Sequence, residues 1–599
     1  MRATRWFPSR PVVGHPSPSR SMIGWVTFGL FCWMGLGLGD IATAEAPRRP
    51  ETTDFLLITS GELLEAFQPL LDWKTRRGVP AMAVTVEAIA INYPGRSLQE
   101  KIKHCILDHA TNAGTAWVLL GGDDAVVPDY DCYGRVDSME GPIEETTIPT
   151  DAYYAGLDVL DWDGDGDGQA GEADEDAVDL VADVALGRLP VRTEAQAEAL
   201  VAKVLAYEQT PPTSNFATRM ILAGTTQYYH GDAEIKSETM YVDWIVPYGQ
   251  PQRLRFYDTA TDFEGGPGYD LNRGNLDQQL LEGCNFLHLL SAGSAGSVIL
   301  EGGDRYTVAD ALAVGNAGAC PHVLTVAGEA NAFENARWEP CLAEAWLRNP
   351  GGGAVSFIGS SRRAWCEPGF ELGPSMRFSA TFYRNLFSSA TQGLHVRLGE
   401  VLARTKSELA EDACSDQQRW LLYSMNLCGD PEMPVYTADP LELEPAYPPT
   451  VTVGAQTLEV TAGVRGARVC LVKTDEVYAR ATADASGTCE LSIDPLTEGD
   501  LSLVVTAPNH LPFEGVIAVE GGGPLNEAWV DFGYEGPSTG SRAQPFTTLR
   551  AAADAIAEGG RIRIDTAHGR DYSEEAPSLD RACRITVEAD PVRIGISAH

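Results

Sequence analysis

The sequence of 599 residues is poor in basic side chains. It has 44 Lys and Arg against 84 Asp and Glu, which gives a formal net charge of −40. A surface this acidic repels nucleic acids and anionic lipids, and it attracts divalent cations. The composition therefore argues against a nucleic-acid partner.

The sequence also lacks any CxxC pair among its twelve cysteines. That spacing is typical of structural zinc sites, so a zinc site is not expected. Cys470 and Cys489 are the most plausible disulfide pair, although spacing alone does not fix the connectivity. Cys341 and Cys366 are further candidates for pairing, and Cys320 beside His322 is expected in the core or in a disulfide.

After residue 46 the sequence has no run apolar enough to cross a membrane. Before it, four Arg precede an apolar stretch over 22–38, and Ala-x-Ala patterns follow at 42–44 and 44–46. We expect 1–46 to be a signal peptide, with an uncleaved anchor as the alternative. Cleavage would leave an exported chain of net charge −42 without stable membrane insertion.

Short apolar strands alternate with helical patterns through much of the chain. A helix begins where Ser97 and Glu100 form a capping-box pattern, and others are expected over 339–348 and 397–410. This order predicts an α/β fold with a parallel sheet covered by helices. The expected strands are "DFLLIT" (54–59), "AMAVTV" (81–86), "AWVLLGGDD" (116–124), "RMILAGTT" (219–226), "CNFLHLL" (284–290), "PHVLTVAG" (321–328) and "GAVSFIGSS" (353–361).

Open parallel sheets bind ligands beyond the carboxyl ends of their strands. The loops 291–297 and 327–333 should therefore lie side by side at a functional edge. The polar residues at this edge could also serve only to shape the loops, since small hydroxyl side chains suit tight turns and aspartates cap them. The candidate cleft residues are Ser291, Ser294, Glu329, Asp123 and Asp124.

Two modules without this alternation follow. Residues 447–520 contain short alternating strands without intervening helices, which predicts an Ig-like β-sandwich. Residues 525–599 resemble the cap and first coil of a right-handed parallel β-helix. A single coil cannot bury its own face, so this piece is expected to be a fragment or accessory module.

The stretch 161–172 reads "DWDGDGDGQAGE" and fits the calcium-loop pattern D-x-D-x-D-G-x5-E. Alternate carboxylates converge on the ion, the glycine permits the sharp turn, and the last Glu can bind through two oxygens. Its flanks do not resemble the helices of an EF-hand, so we predict a structural calcium loop; a flexible acidic insertion is the alternative. The predicted ligands are Asp161, Asp163, Asp165, Asp167, Gln169 and Glu172.

Four stretches in this order resemble the gingipain-type cysteine peptidases over 53–440. The resemblance implies a caspase-like fold with subdomains at 53–145 and 146–440, the second of which carries the acidic loop. The stretches are "AWVLLGGDDAVVP", "TDAYYAGLD" with "DVALGRLPVRT", "CLAEAWLRNPGGGAVSFIGSSR" and "NLCGDPEMPVYT".

The resemblance also implies where a catalytic dyad would lie. That family has Gly-His-Gly-Ser where this chain reads Ser291-Ala-Gly-Ser294, so Ala292 replaces the basic His. The nucleophilic Cys position is Gly328, and no His or Cys lies within three residues of it. His288 is four residues before Ala292, inside the expected strand. Thiolate attack needs both groups, and neither is present.

Three functions remain open from the sequence. The first is a secreted pseudopeptidase that holds a protein or peptide in the former substrate cleft or acts as a scaffold. The second is an active cysteine endopeptidase whose dyad comes from other positions. The third is a surface adhesion or glycan-binding protein in which the C-terminal modules do the binding.

Overall fold

The computed structural model describes residues 50, 52–138, 141–173, 175–258, 268–334, 339–369, 372–393, 395–411, 415–521, 523, 525–536, 538–575, 582–588 and 591–595. The expected signal peptide lies outside these residues. The chain forms two compact units, of which one is Arg48–Gly522 and the other includes Gly523–His599. In the described part of the chain, no helix combines the length and the hydrophobicity needed to cross a bilayer.

The described residues before 440 form one large sheet and two smaller ones. Their strands are β1 (Phe55–Thr59), β2 (Ala81–Thr85), β3 (Trp117–Gly121), β4 (Tyr130–Ser138), β5 (Gly141–Thr150), β6 (Ala185–Leu189), β7 (Arg219–Gly224), β8 (Gln252–Tyr257), β9 (Gly268–Asp270), β10 (Phe286–Leu290), β11 (Gly293–Ser294), β12 (Ser297–Ile299), β13 (Arg305–Thr307), β14 (His322–Val326), β15 (Ser356–Ser360) and β16 (Met425–Cys428). The two smaller sheets are β4-β5 and β11-β12-β13.

Helices connect and cover these strands. They are α1 (Leu64–Arg76), α2 (Val86–Asn92), α3 (Leu98–Asp108), α4 (Ala152–Ala155), α5 (Glu194–Gln209), α6 (Asp232–Thr239), α7 (Arg273–Glu282), α8 (Val308–Ala313), α9 (Leu342–Arg348), α10 (Pro374–Thr391), α11 (Leu398–Glu411) and α12 (Asp416–Ser424). Short π-helical segments follow α3 and α6, at His109–Ala113 and Met240–Ile245.

The large sheet has eleven strands in the order β2-β1-β3-β6-β16-β15-β14-β10-β7-β8-β9. Neighbouring strands are parallel except for β15 and β16, which are antiparallel. Strands β1, β10, β14 and β15 are buried along their whole length. Such continuous burial requires cover on both faces and explains why these strands read as unbroken apolar runs.

All seven strands expected for this sheet are present, so the α/β prediction with a large parallel sheet is confirmed. Helices α9 and α11 also lie where they were expected. Ser97 caps the N-terminus of helix α3, and its side chain accepts the Glu100 N–H at 3.2 Å. The Glu100 carboxylate instead accepts the N–H of Arg96 at 2.6 Å, so the expected box shifts by one residue.

The sheet also contains strands that the pattern did not indicate, namely β6, β8, β9 and β16. Strand β6 carries Arg188, which is fully buried and donates to Asp151 at 2.6 Å and 2.9 Å. It pairs with β3 across the predicted subdomain boundary at residue 145, so the sheet is continuous there.

After residue 440, seven strands form two sheets that share one apolar core. One sheet has the order β17-β23-β22-β19-β20, and the other pairs β18 with β21. The strands are β17 (Thr450–Thr452), β18 (Gln456–Thr461), β19 (Arg468–Lys473), β20 (Val477–Thr482), β21 (Thr488–Ile493), β22 (Gly499–Thr506) and β23 (Phe513–Glu520).

The suggested disulfide between Cys470 and Cys489 is wrong. Both thiols are free, as are all ten cysteines in the described part of the chain. Cys470 lies on β19 in the larger sheet and points its sulfur toward the Thr75 carbonyl at 3.8 Å, whereas Cys489 lies on β21 in the smaller sheet. Cys320, Cys341 and Cys366 are free as well.

The second unit is small and its strands pair in parallel. β24 (Leu525–Val530), β25 (Ile556–Ile564) and β27 (Arg584–Val587) form one sheet, while β26 (Tyr572–Ser573) pairs with β28 (Arg593–Ile594). Helix α13 (Leu549–Ala555) begins at Thr548, whose hydroxyl accepts the Ala551 N–H at 3.1 Å.

Candidate functional site

Strands β10 and β14 lie side by side near the middle of the large sheet, with Leu290 opposite Val326. Ala292 follows the first strand by two residues, and Gly328 follows the second by two. The Ser291 N–H donates to the Val326 carbonyl oxygen at 3.2 Å, so the two loops stay adjacent beyond the strands. The expectation that the loops 291–297 and 327–333 meet at one edge is confirmed.

Gly293 allows this close approach. A Cβ atom at this position would lie 2.8 Å from the Ala327 Cβ and 3.3 Å from the Gly328 carbonyl oxygen. Gly328 itself has room, because a Cβ there would lie 3.4 Å from the Ala364 nitrogen and 3.5 Å from the Arg363 Cα. These are close to ordinary contact distances. Ala292 is exposed, so both positions could carry larger side chains.

The hydroxyls of this edge serve the loop itself. The buried Ser291 Oγ donates to the Ile299 carbonyl oxygen at 2.6 Å and lies 3.0 Å from the Thr225 hydroxyl. Ser294 is half-buried on β11 and lies 3.4 Å from the Ser297 hydroxyl. Strands β11, β12 and β13 form a small antiparallel sheet that these bonds support. The serines therefore hold the turn in shape.

Glu329 stands directly after Gly328 with a φ of +62°, a backbone conformation that is rare for residues other than glycine. Its N–H donates to the Arg362 carbonyl oxygen at 2.9 Å. The buried Arg362 side chain donates to the Glu334 carboxylate at 2.6 Å and lies 3.7 Å from Glu145. Sequence analysis missed Arg362 and Glu334; the only signal for Arg362 was its place at the end of the third family-like stretch.

Asp123 and Asp124 follow β3. The Asp123 side chain is fully buried, is ion-paired with Arg192 and with Arg348 at 3.2 Å, and accepts the Ala125 N–H at 3.1 Å. This carboxylate therefore caps a turn and neutralises the buried Arg348 and the half-buried Arg192 instead of lining an open cleft. Asp124 is half-buried and accepts the Asp129 N–H at 3.3 Å.

Two further acids lie beside Asp124. Burial raises the pKa of Asp129 well above its usual value, and the neighbouring Asp124 raises it further. Burial also raises the pKa of Asp131, while Arg362 opposes the rise. These carboxyl groups and Glu145, Glu334 and Glu329 make the surroundings of the edge acidic.

Burial shifts the pKa values of the histidine and the cysteines nearest the edge. His288 is fully buried inside β10, and burial lowers its pKa to about 3. Burial raises the pKa of the Cys366 thiol to about 11 and that of Cys341 well above its usual value. A thiol with such a pKa is protonated at neutral pH and is a poor nucleophile.

His322 lies at the other end of β14. Its Nδ1 is 2.8 Å from the Ser356 hydroxyl and its Nε2 is 2.8 Å from the Tyr207 hydroxyl. The neighbouring Cys320 is buried, and burial raises the pKa of its thiol. Both residues belong to the core, which was one of the two expectations for them.

The acidic loop brings together Asp163, Asp165 and Asp176, and one carboxylate oxygen from each lies within 4.8 Å of the other two. Asp176 lies outside the motif and was missed; it accepts the N–H groups of Gly164 at 2.6 Å and Gly171 at 2.8 Å. The predicted ligand Asp161 is instead ion-paired with Arg96 at 2.7 Å.

The other predicted ligands lie around this group. Asp167 accepts the Gln169 N–H at 2.8 Å and bonds its side-chain amide at 3.0 Å. The Glu172 Oε2 is buried without a hydrogen-bond partner among the described residues. Burial raises the pKa of Glu172, and Asp167, Glu175, Asp176 and Asp165 raise it further, as expected for crowded carboxylates that a cation would relieve.

Together, the large parallel sheet and the two loops beyond β10 and β14 define a caspase-like α/β peptidase fold. A model of peptidase family C25 matches residues 48–436, which is more than half of the chain. The chain belongs to this family.

Two curated relatives are both named Gingipain R2, from Porphyromonas gingivalis strains ATCC 33277 and W83. The first is 20% identical over 464 residues, which is 75% of this chain and 55% of the relative. The second is 20% identical over 485 residues, which is 79% of this chain and 58% of the relative. The chain thus spans little more than half the length of these relatives.

Solved structures show the same fold. The crystal structure of the Arg specific cysteine proteinase gingipain R (RGPB) aligns with a TM-score of 0.60 and 19% identity, covering 79% of this chain and all of that one. A second, titled "Structure of Protease", aligns with a TM-score of 0.60 and 17% identity over 79% of this chain and 98% of that one. At this identity the likeness concerns the fold alone.

Proposed function

We propose that this chain is a pseudopeptidase of the gingipain-type family that binds peptides or proteins in the former substrate cleft. The observation that carries the proposal is the pair Ala292 and Gly328, which occupy neighbouring loop positions after β10 and β14. Neither residue has a group that can accept a proton or attack a carbonyl carbon. The two positions therefore supply neither the general base nor the nucleophile that a cysteine peptidase needs.

The proposed ligand is a peptide segment that carries Lys or Arg. Supporting this are the excess of acids over bases in the chain, 84 against 44, and the carboxylates around Arg362 beside Gly328. Opposite charge across an interface speeds association and favours the matching partner. One relative in structure is titled an Arg specific proteinase, which agrees with a basic ligand.

The remaining modules and the location belong to the same proposal. We propose export through the N-terminal signal, an Ig-like fold for 447–520 and a β-helix fragment for 525–599. The seven strands around one core support the second assignment, and the parallel pairing of β24, β25 and β27 supports the third. The C-terminal modules would then present the peptidase-like domain outside the cell.

The test uses the purified full-length chain with an unstructured protein library. We expect no cleavage above a mock purification, with or without thiol reductant, and retention of basic peptides that weakens as salt rises. Cleavage that a thiol-directed inhibitor abolishes would contradict the proposal and favour the active endopeptidase. If the library stays intact and no peptide is retained, the proposed peptide binding is contradicted, whereas the proposed lack of peptidase activity is supported.

We also propose that the acidic loop binds a structural calcium ion through Asp163, Asp165 and Asp176. Carboxylate oxygens are the ligands that calcium prefers, and three of them already converge. Glu172 lies nearby, because its backbone N–H donates to the Asp176 carboxylate at 3.1 Å. Its side-chain Oε2 has no hydrogen-bond partner among the described residues and is a further candidate ligand. The ion would tie the loop to the turn at residue 176.

Removal of calcium with a chelator is expected to lower the melting temperature by several degrees, because a ligand that binds only the folded state stabilises it. Asp176→Asn should abolish most of this calcium dependence. Asp161→Asn is the matched control, since Asp161 is held by Arg96 and should leave the dependence intact. Equal calcium dependence in both variants would contradict the proposed ligand set.

A further inference from the structure

A small cavity lies where the α/β region meets the strands that follow residue 440, within the unit Arg48–Gly522. We call it the junction cavity. Its walls include Arg77, His395 and Arg397 on one side and Thr506, Asn509 and His510 on the other. Its volume of about 30 Å³ leaves room for about two water-sized groups.

Several buried donors at this cavity lack an acceptor among the described residues. They are Nη1 and Nη2 of Arg397, Nε of Arg77, Nη1 of the nearby Arg468 and the Thr506 hydroxyl. Arg397 is only 2% exposed, so bulk water does not reach its guanidinium. Buried donors of this kind are rare, and an ordered water or an ion usually accounts for them.

The acids nearby are turned toward other partners. Glu432 faces Lys74, Arg77 and the Nε of Arg397, and Glu208 bonds Trp73 and Lys74. Asp430 pairs with Lys74 at 2.6 Å. None of these contacts reaches Nη1 or Nη2 of Arg397. Glu400 is a further carboxylate near Arg397, but Nη1 and Nη2 still lack a hydrogen-bonded acceptor among the described residues.

The local potential is positive on the side of these two nitrogens. Burial, followed by the charges of Arg77 and Arg468, lowers the pKa of Arg397 well below its usual value. Burial, followed by the charges of Arg397, Arg468 and Arg77, lowers the pKa of His395. The Nε2 of this histidine lies 3.3 Å from the Gly466 carbonyl oxygen. Burial raises the pKa of the neighbouring Glu400, although Arg397 and Arg468 oppose this rise.

We infer that the junction cavity binds a small monoatomic anion of the halide class, held by the guanidinium groups of Arg397, Arg77 and Arg468. The ion would supply the missing acceptor and offset the buried positive charge, which is costly when unpaired. Because Arg468 lies on β19 and Arg397 precedes α11, the ion would fasten two parts of the unit together.

The decisive measurement is a crystal of the full-length protein soaked in bromide. We expect an anomalous peak within hydrogen-bonding distance of Nη1 or Nη2 of Arg397. Absence of the peak, with water density in the cavity after the soak, would overturn the proposal because ordered water would then satisfy the donors. This readout needs no variant.

A second measurement follows thermal unfolding in sodium chloride and in sodium gluconate at matched ionic strength. Chloride should raise the melting temperature of the natural chain by about 2–4 °C, and Arg397→Met should lose this difference. Arg404→Met is the matched control, because Arg404 is an exposed residue of α11 paired with Glu408. A chloride effect equal in the natural chain and in the Arg397→Met variant would contradict the site.

Discussion

A chain that carries Ala292→His and Gly328→Cys together is expected to cleave proteins, whereas the natural chain is not. The two positions follow paired strands, and the backbone around Gly328 leaves ordinary contact distance for a new Cβ. Histidine at the exposed position 292 could accept the thiol proton and lower its pKa. Proton transfer alone contributes about 10²–10⁴-fold to such reactions, so a clear gain in cleavage rate is expected.

The two single variants are the controls for this gain. Gly328→Cys lacks the base, and Ala292→His lacks the nucleophile, so neither should approach the double variant. The rates are measured as peptide bonds cleaved in an unfolded protein, with the folded state checked by circular dichroism. A correctly folded but silent double variant would show that these residues do not occupy the dyad positions.

The sequence predicted the strands of the sheet where apolar runs are unbroken, as in β10 and β14. It missed β6 because a charged residue inside a strand normally indicates exposure. Arg188 is nonetheless buried, since the distant Asp151 meets its guanidinium with two bonds. A partner that far along the chain cannot be found from local periodicity.

At the candidate site, too, the sequence predicted what depends on strand order and missed what depends on distant partners. The adjacency of the two loops followed from the parallel strand order alone. The burial of Asp123 did not, because its partners Arg192 and Arg348 come from segments far along the chain. Asp176 was missed for a related reason: it lies outside the twelve-residue calcium pattern, and only the fold of the loop brings it to Asp163 and Asp165.

Acid should destabilise this protein partly through two buried histidines. Burial lowers the pKa of both His288 and His322 to about 3, from 6.5 in an unfolded chain. Between these values the unfolded state binds the extra proton, so stability is complete above pH 6.5 and falls as the pH decreases toward 3. Each histidine adds a slope of about 1.4 kcal/mol per pH unit.

His288→Leu should therefore flatten the pH dependence of stability. Between pH 6.5 and pH 4.5, the free energy of unfolding should fall by about 3 kcal/mol less in this variant than in the natural chain. Urea unfolding at several pH values measures this, with the exposed His230→Leu as the control. If the slopes of the two variants agree, His288 is not buried in its neutral form.

The two buried histidines should differ when replaced. Neither ring nitrogen of His288 has a partner among the described residues, so leucine removes unsatisfied polar atoms and should not weaken the fold at neutral pH. His322 bonds Ser356 and Tyr207, so leucine there leaves the buried Ser356 hydroxyl without its partner and removes one of the three hydrogen bonds of the Tyr207 hydroxyl. This change should destabilise the fold at every pH. His288 lies four residues before Ala292, but its burial makes it part of the core around β10.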